Sequence, residues 1–399
     1  MTHPDIKSWA DTYYGRTSAA FFGLSVTFLA LFFHYPEPWP GAVIGADFVN
    51  TWMGARRALE GQPQEWFDTN VYNAALREMF GETFPEHHWS YPPHLLLVTW
   101  PLGFLAYFPA FVVWCGVGFA LYVAVAAQGD RRGDRLLMLV AAPAIVMNII
   151  SGQKGFFTAG LLIGGLSLLD RRPIVSGILF GVLTMKPQLG LLLPLMLLLK
   201  GQWRCIISAT VTTLILVGVT GAIFGADVWP RFFSDSVPTQ SEWLTHGSGI
   251  FPSMMPTAFM NARITGLPAD WAWVVQAPVS IAAIAALTWT CWRQRDPVLS
   301  TALFLTASFL VTPYAFHYDM IVFGWVLAQL RDHEGSQRLD HHLAIAVWTL
   351  PAWTVLLGYN GIPISCPVLI AFGARLIWRM ARDETSLVPR EFQFHASRP

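Results

Sequence analysis

Asp47, Lys186 and His317 stand where an ionisable side chain is conspicuous. Asp47 lies in Gly45-Ala46-Asp47-Phe48-Val49-Asn50-Thr51-Trp52, about a dozen residues past the first membrane-length apolar run. It heads a loop dense in Trp, Tyr and His. Most other carboxylates fall in loops or near the ends of apolar segments, where water solvates them. A lone carboxylate at a membrane surface suits a general base acting on a lipid-carried substrate. Residues 48–60 read as a short amphipathic helix stopped by Gly61, so the competing reading of Asp47 is an N-cap. Lys186 lies between two apolar stretches, in Lys186-Pro187-Gln188. An ionisable residue at membrane depth is expensive and marks a functional site by default; a lysine snorkelling to the interface is the alternative.

Further polar residues extend the set. His317 sits among aromatic residues beyond Pro313, able to donate to a phosphate or orient a sugar, or simply packed. Asp319 pairs with it or is solvated in the loop. Lys154 follows Gly152-Gln153 in a turn, where surface exposure competes with function. Tyr91 belongs to Tyr91-Pro92-Pro93-His94, which marks the loop's return to the membrane and also suits a rigid helix start. Gln153 and Gln188 are weaker candidates for sugar hydroxyls. His87-His88 and His341-His342 lack helical metal-ligand spacing, so no metal is assigned. No Walker loop, GxSxG or dinucleotide fingerprint occurs, and no cofactor is assigned.

The elements that position these residues are membrane helices. Of 399 residues 54% are hydrophobic and 13% charged, against roughly 25% charged in a soluble domain. Eighteen Trp and 28 Phe suit lipid-facing walls and aromatic belts. The formal net charge of zero argues against nucleic acid as a partner. Cys115, Cys205, Cys291 and Cys366 are scattered singly in or beside apolar segments and read as packing residues. The N-terminus is polar through Thr17, and the first apolar run reads as a retained helix rather than a cleaved signal.

Short basic loops face the cytoplasm. Placing both termini and the clusters at Arg131-Arg132-Arg135, Arg171-Arg172, Lys200/Arg204, Arg293/Arg295, Arg331/Arg338 and Arg375–Arg390 inside accounts for 18 of the 25 basic residues. The expected spans are 18–35, 93–127, 136–150, 156–169, 174–185, 187–199, 205–223, 272–292, 298–314, 318–330, 343–358 and 364–378. That is an all-α polytopic protein of about twelve crossings: one transmembrane domain over 1–380, then a polar cytoplasmic tail, 381–399. The span at 93–127 is too long for one straight helix and contains Pro101 and Pro109, which predicts a short helix, a break and a spanning helix. The spans 174–185 and 187–199 are too short to cross, so Lys186 caps a hairpin in the outer half of the bilayer, where broken segments line a cavity. The outer loops are 36–92 and 224–271, with small turns at 151–154 and 314–319.

Asp47-Phe48 with Ala55-Arg56-Arg57-Ala58-Leu59-Glu60-Gly61, then Tyr91-Pro92-Pro93, Gly152-Gln153, Lys186-Pro187-Gln188 and Trp203-Arg204 give the chain its resemblance to glycosyltransferase family 87. The resemblance runs over roughly 20–330. It implies a GT-C-type bundle and an inverting hexosyltransferase, with mannose the expected sugar. It also implies a polyprenyl-phosphate sugar donor, a glycan or glycolipid acceptor, and action on the outer side of the plasma membrane. Asp47 is then the catalytic base, with Lys186 and His317 for phosphate or sugar. Lys154 departs from the family pattern, as does Pro252-Ser253-Met254-Met255-Pro256-Thr257 in the second outer loop, so acceptor identity does not transfer. A transporter or flippase of lipid-linked sugars is the alternative; its binding groups would lie at the midplane, with access from both faces.

Overall fold

Glycine pairs, prolines and uneven apolar runs set the architecture. The computed structural model describes residues 3–34, 44–61, 63–128, 133–293 and 296–386. Arg131, Arg132, Arg295, Arg390 and Arg398 of the basic clusters, and tail residues 387–399, lie outside the described residues.

Every described element is helical. Helix α1 (His3–His34) leads to the first large loop, which holds α2 (Phe48–Leu59) and α3 (Thr69–Phe80). The chain returns through α4 (Leu96–Thr99) and enters α5 (Tyr107–Ala126), α6 (Gly133–Val140), α7 (Pro143–Ser151) and α8 (Gly155–Leu168). The next helices are α9 (Pro173–Leu183), α10 (Leu193–Leu199) and α11 (Trp203–Phe224). The second large loop contains α12 (Val228–Arg231), one π turn at Phe232–Ser236, α13 (Val237–His246) and α14 (Ala258–Ile264). Helices α15 (Ala269–Trp292), α16 (Pro297–Val311), α17 (Val322–Arg331), α18 (Arg338–Gly358) and α19 (Ser365–Ser386) complete the bundle.

Each expected span coincides with helix, but the count of twelve crossings is not matched. Among the described residues five helices are long and apolar enough to cross alone: α1 (over Ser8–His34), α5, α11, α15 and α18. The expected 136–150 span is two helices, α6 and α7, bent by 45°. Pro143 causes the break, because it restricts Ala142 to extended backbone (ψ 128°) and removes a helical N–H. Counting that pair gives six. Helices α8, α9 and α16 have 14, 11 and 15 residues, reaching about 16–23 Å of the roughly 30 Å hydrocarbon thickness. The 93–127 segment breaks as expected: short turns and α4 are followed by a bend at Leu105–Ala106 and the 20-residue α5. Exposed Ile207, Leu214, Ile215 and Ile223 give α11 an apolar outer face suited to lipid.

Close approach of α9 to α11 fixes the height of Lys186. A Cβ on Gly181 would lie 2.6 Å from Thr212 Cβ and 2.8 Å from the Ala209 carbonyl. Gly177, one turn earlier, meets the Cys205 backbone as closely. This i, i+4 glycine pair lets the two backbones touch, as small residues do in membrane helix pairs. The four cysteines are free and buried.

The first large loop packs Phe48, Trp52, Trp66, Tyr72 and Trp89 into one core with Trp114 of α5 and Phe232 of the second large loop. The loop's returning segment is held by Asn73, whose Nδ2 donates to the His87 carbonyl and whose Oδ1 accepts the His87 N–H, both at 2.9 Å. At the end of the bundle where α6 begins and α17 stops, Arg331 pairs with Asp11 at 2.7 Å and with Asp134. Arg375 pairs with Asp340 at 2.5 Å.

Candidate active site

Helix ends and loops from five parts of the chain enclose one cavity of about 520 Å³. Asp47, Tyr91, Gln153, Lys186 and Gln188 all line it, with Asn50, Tyr314, Phe316 and Tyr318. Two further residues singled out from sequence, His317 and Lys154, lie behind that wall.

Asp47 precedes α2, and its backbone is pinned to the end of α7. The Gly45 N–H donates to the Ile150 carbonyl and the Asp47 N–H to that of Ser151, both at 3.1 Å. The N-cap expectation fails at the side chain. Asp47 occupies the N-cap position, but with φ −77° and ψ −23° its carboxylate makes no cap bond. A capping residue is normally extended, which swings its oxygen over the first free N–H groups; the αR backbone here does not. Among the described residues the half-buried carboxylate has no hydrogen bond or ion pair, and it faces the cavity.

Gly152 makes this junction possible. It ends α7 in the left-handed region, φ +67°, and a Cβ there would sit 2.5 Å from Phe48 Cβ. Gly152→Ala is therefore expected to cost about 2 kcal/mol or more, combining left-handed strain with overpacking. It should lower the unfolding temperature in detergent and displace Asp47; a variant as stable as wild type would remove this reading of the turn.

Lys186 does not snorkel. It is buried, and its Nζ lies 2.6 Å from Asp319 Oδ1, with side-chain exposures of 6% and 0%. Asp319 neither pairs with His317 nor meets solvent; it is the buried counter-ion of Lys186, and its other oxygen accepts the Phe316 N–H at 3.4 Å. Lys186 Nζ also stands 4.5 Å from the Tyr318 ring centroid. Lys154, for which surface exposure was an alternative, is 1% exposed, and its Nζ lies 2.9 Å from the centroid of the Tyr91 ring. A cation over a desolvated aromatic face gains from the ring quadrupole. Lys154, Lys186, Asp319 and Asp47 are near enough to feel one another's charge. Two lysines and two carboxylates thus sit together, and only Lys186 and Asp319 are in contact.

His317 is packed: its buried ring is hydrogen-bonded through Nδ1 to the Met254 carbonyl at 2.9 Å. Its sequence neighbours Phe316 and Tyr318 line the cavity while it braces them. Gln153 is buried, with Nε2 3.5 Å from the Tyr91 hydroxyl. Burial, then the Asp47 charge, raises the Tyr91 pKa, so the phenol stays protonated.

Burial, with a smaller contribution from His87, pushes His88 down to about 4. An unfolded-chain imidazole titrates near about 6.5, so the unfolded state takes up the proton first as pH falls. Folded stability should hold above that value, decline between about 6.5 and 4, and level off below. Unfolding temperatures measured across this range should decline less in His88→Gln; an equal decline would exclude His88 as a contributor.

The residues missed from sequence are Asp319 as an ion-pair partner, and Asn50, His88 and Trp243 as cavity wall. Lys186 carried one usable signal, since a buried lysine demands a carboxylate.

The description of glycosyltransferase family 87 matches residues 89–313, more than half of the chain. The chain belongs to glycosyltransferase family 87. The family match takes in Tyr91, Gln153, Lys154, Lys186 and Gln188, while Asp47 precedes it and His317 follows. An alpha-(1->3)-arabinofuranosyltransferase of Corynebacterium glutamicum is 25% identical over 325 residues, covering 74% of this chain and 69% of that protein. The Mycobacterium tuberculosis (strain H37Rv) protein of the same name is 28% identical over 194 residues, 42% of this chain and 43% of that protein. No solved structure matches. As a member of family 87 the protein is a membrane glycosyltransferase. Mannose as the transferred sugar finds no support in these relatives, whose names specify arabinofuranose.

Proposed function

We propose that this family 87 enzyme moves a glycosyl unit from a polyprenyl-phosphate sugar to an acceptor hydroxyl in a single inverting displacement. The observation that carries the reading is an unpaired carboxylate, Asp47, in the same cavity as the buried Lys186. The acceptor oxygen attacks the anomeric carbon as the bond to the phosphate oxygen breaks. Asp47 takes the acceptor proton, and the prenyl phosphate leaves with its electron pair. Phosphate is a weak base, so cationic groups suffice at the leaving oxygen. Lys186, and Lys154 behind Tyr91, supply positive charge there; Gln153 and Gln188 suit the sugar hydroxyls. Family resemblance supports the polyprenyl donor, and the basic loops support a plasma-membrane enzyme with its cavity on the outer side.

The relatives' names favour arabinofuranose over mannose as the sugar. Protein reconstituted in liposomes should transfer label from a synthetic prenylphosphoryl arabinofuranose to an added oligosaccharide, in preference to prenylphosphoryl mannose. Preference for mannose would reverse the sugar assignment, and consumption of neither donor would remove the donor class.

A further inference from the structure

Part of the cavity wall takes no part in the displacement. His88 stacks on Trp243, ring centroids 5.4 Å apart at 27°, and the Phe251 ring meets Trp243 edge-on, 5.7 Å away at 66°. Both rings of the stack line the cavity. The stack is braced from two directions. Asn50 Nδ2 donates to the His88 carbonyl at 3.4 Å, and Gln240 Nε2 to the Ser90 carbonyl at 2.7 Å. Asn50 is three residues beyond Asp47, close to one turn of α2, so the stack is tied to the element that carries the base.

One polar atom here is unused. His88 Nε2 is buried with no hydrogen-bond partner among the described residues. Native proteins rarely leave such a buried group idle. A cavity-lining indole beside one unsatisfied buried imidazole nitrogen matches a sugar ring, which offers an apolar C–H face and hydroxyls at its rim. It suits neither part of a prenyl phosphate. The tail has nothing to satisfy His88 Nε2, and the phosphate would meet the Glu86 carboxylate, which lines the same cavity and is paired to Arg77 at 3.0 Å.

We propose that the Trp243–His88 stack seats the acceptor, and that the acceptor presents a sugar ring to it, with a hydroxyl directed to Asp47. This rests on the glycosyl-transfer reading and adds the acceptor's class and position. In liposomes, Trp243→Ala should raise the KM for an octyl arabinofuranosyl trisaccharide about fivefold to tenfold, the scale of one lost aromatic contact. The donor KM should stay within about twofold, because the cationic residues are untouched. Trp243→Phe keeps the ring and loses the N–H, so about a threefold rise is expected. An unchanged acceptor KM in Trp243→Ala, or an equal rise for the donor, would overturn the assignment. If wild type consumes no prenylphosphoryl sugar, the reaction class has failed, and the platform is then read by binding alone. Free arabinofuranosyl or mannosyl trisaccharide should raise the unfolding temperature of wild type but not of Trp243→Ala; no shift with either sugar would dismiss the platform.

Discussion

Lys186→Met is expected to abolish transfer and to destabilise the protein by about 3–5 kcal/mol, because it leaves the Asp319 carboxylate buried and unpaired. The pair is closed at 2.6 Å and almost fully shielded from water. The double variant Lys186→Met/Asp319→Leu should recover most of that stability, since apolar replacement of a buried pair is often neutral or favourable. It should not recover transfer, because the cation proposed to meet the leaving phosphate is gone. Unfolding temperatures and transfer rates for the two single variants and the double form the required cycle. A double variant that regained activity would show the pair to be purely structural. A stable Lys186→Met would show that the ion pair does not hold this part of the fold.

Asp47→Asn has the opposite profile: a large loss of rate with little loss of stability. The substitution keeps the size of the side chain and removes its capacity to take a proton. Positioned general bases contribute roughly 10²–10⁴-fold, so kcat should fall by that order. The carboxylate makes no cap bond and no ion pair, so stability should change by less than about 0.5 kcal/mol. Donor KM should change little, since the proton moves only as the acceptor attacks. A rate within threefold of wild type would assign the proton to another group.

Local chemistry was legible in the sequence where a residue was costly in its own setting. Lys186 drew attention because a cation between two apolar stretches must be explained, and Asp47 because it heads a loop beside the bilayer. The breaks were legible for the same reason: Pro101 and Pro109 ruled out a single helix over 93–127. The charge asymmetry of the loops gathered Asp47, Tyr91, Gln153, Lys154, Lys186, Gln188 and His317 at one end; all but Lys154 and His317 line one cavity.

What stayed hidden depends on contacts distant in sequence. Asp319 follows Lys186 by 133 residues, and nothing near it distinguishes a buried counter-ion from a loop carboxylate. Lys154 sits in a turn of apparently exposed character, yet the fold lays Tyr91 over it. The count of twelve crossings was not matched: among the described residues the apolar runs at α8, α9 and α16 form helices of 14, 11 and 15 residues, shorter than the five that are long enough to cross alone. The Asp47 cap failed because three residues of backbone, tethered to Ser151, decide a dihedral that residue type alone does not. Trp243 and His88 belong to different loops, and only the tertiary structure stacks them.

The most direct test follows the anomeric carbon. A prenylphosphoryl sugar of defined configuration, labelled at that carbon, is supplied with an oligosaccharide acceptor to liposomes carrying wild type or Asp47→Asn, and the product is read by NMR. The expected result is a glycoside of inverted configuration from wild type and a yield from Asp47→Asn lower by roughly 10²-fold or more. Retained configuration, or an equal yield from Asp47→Asn, would contradict Asp47 as the base of a single displacement.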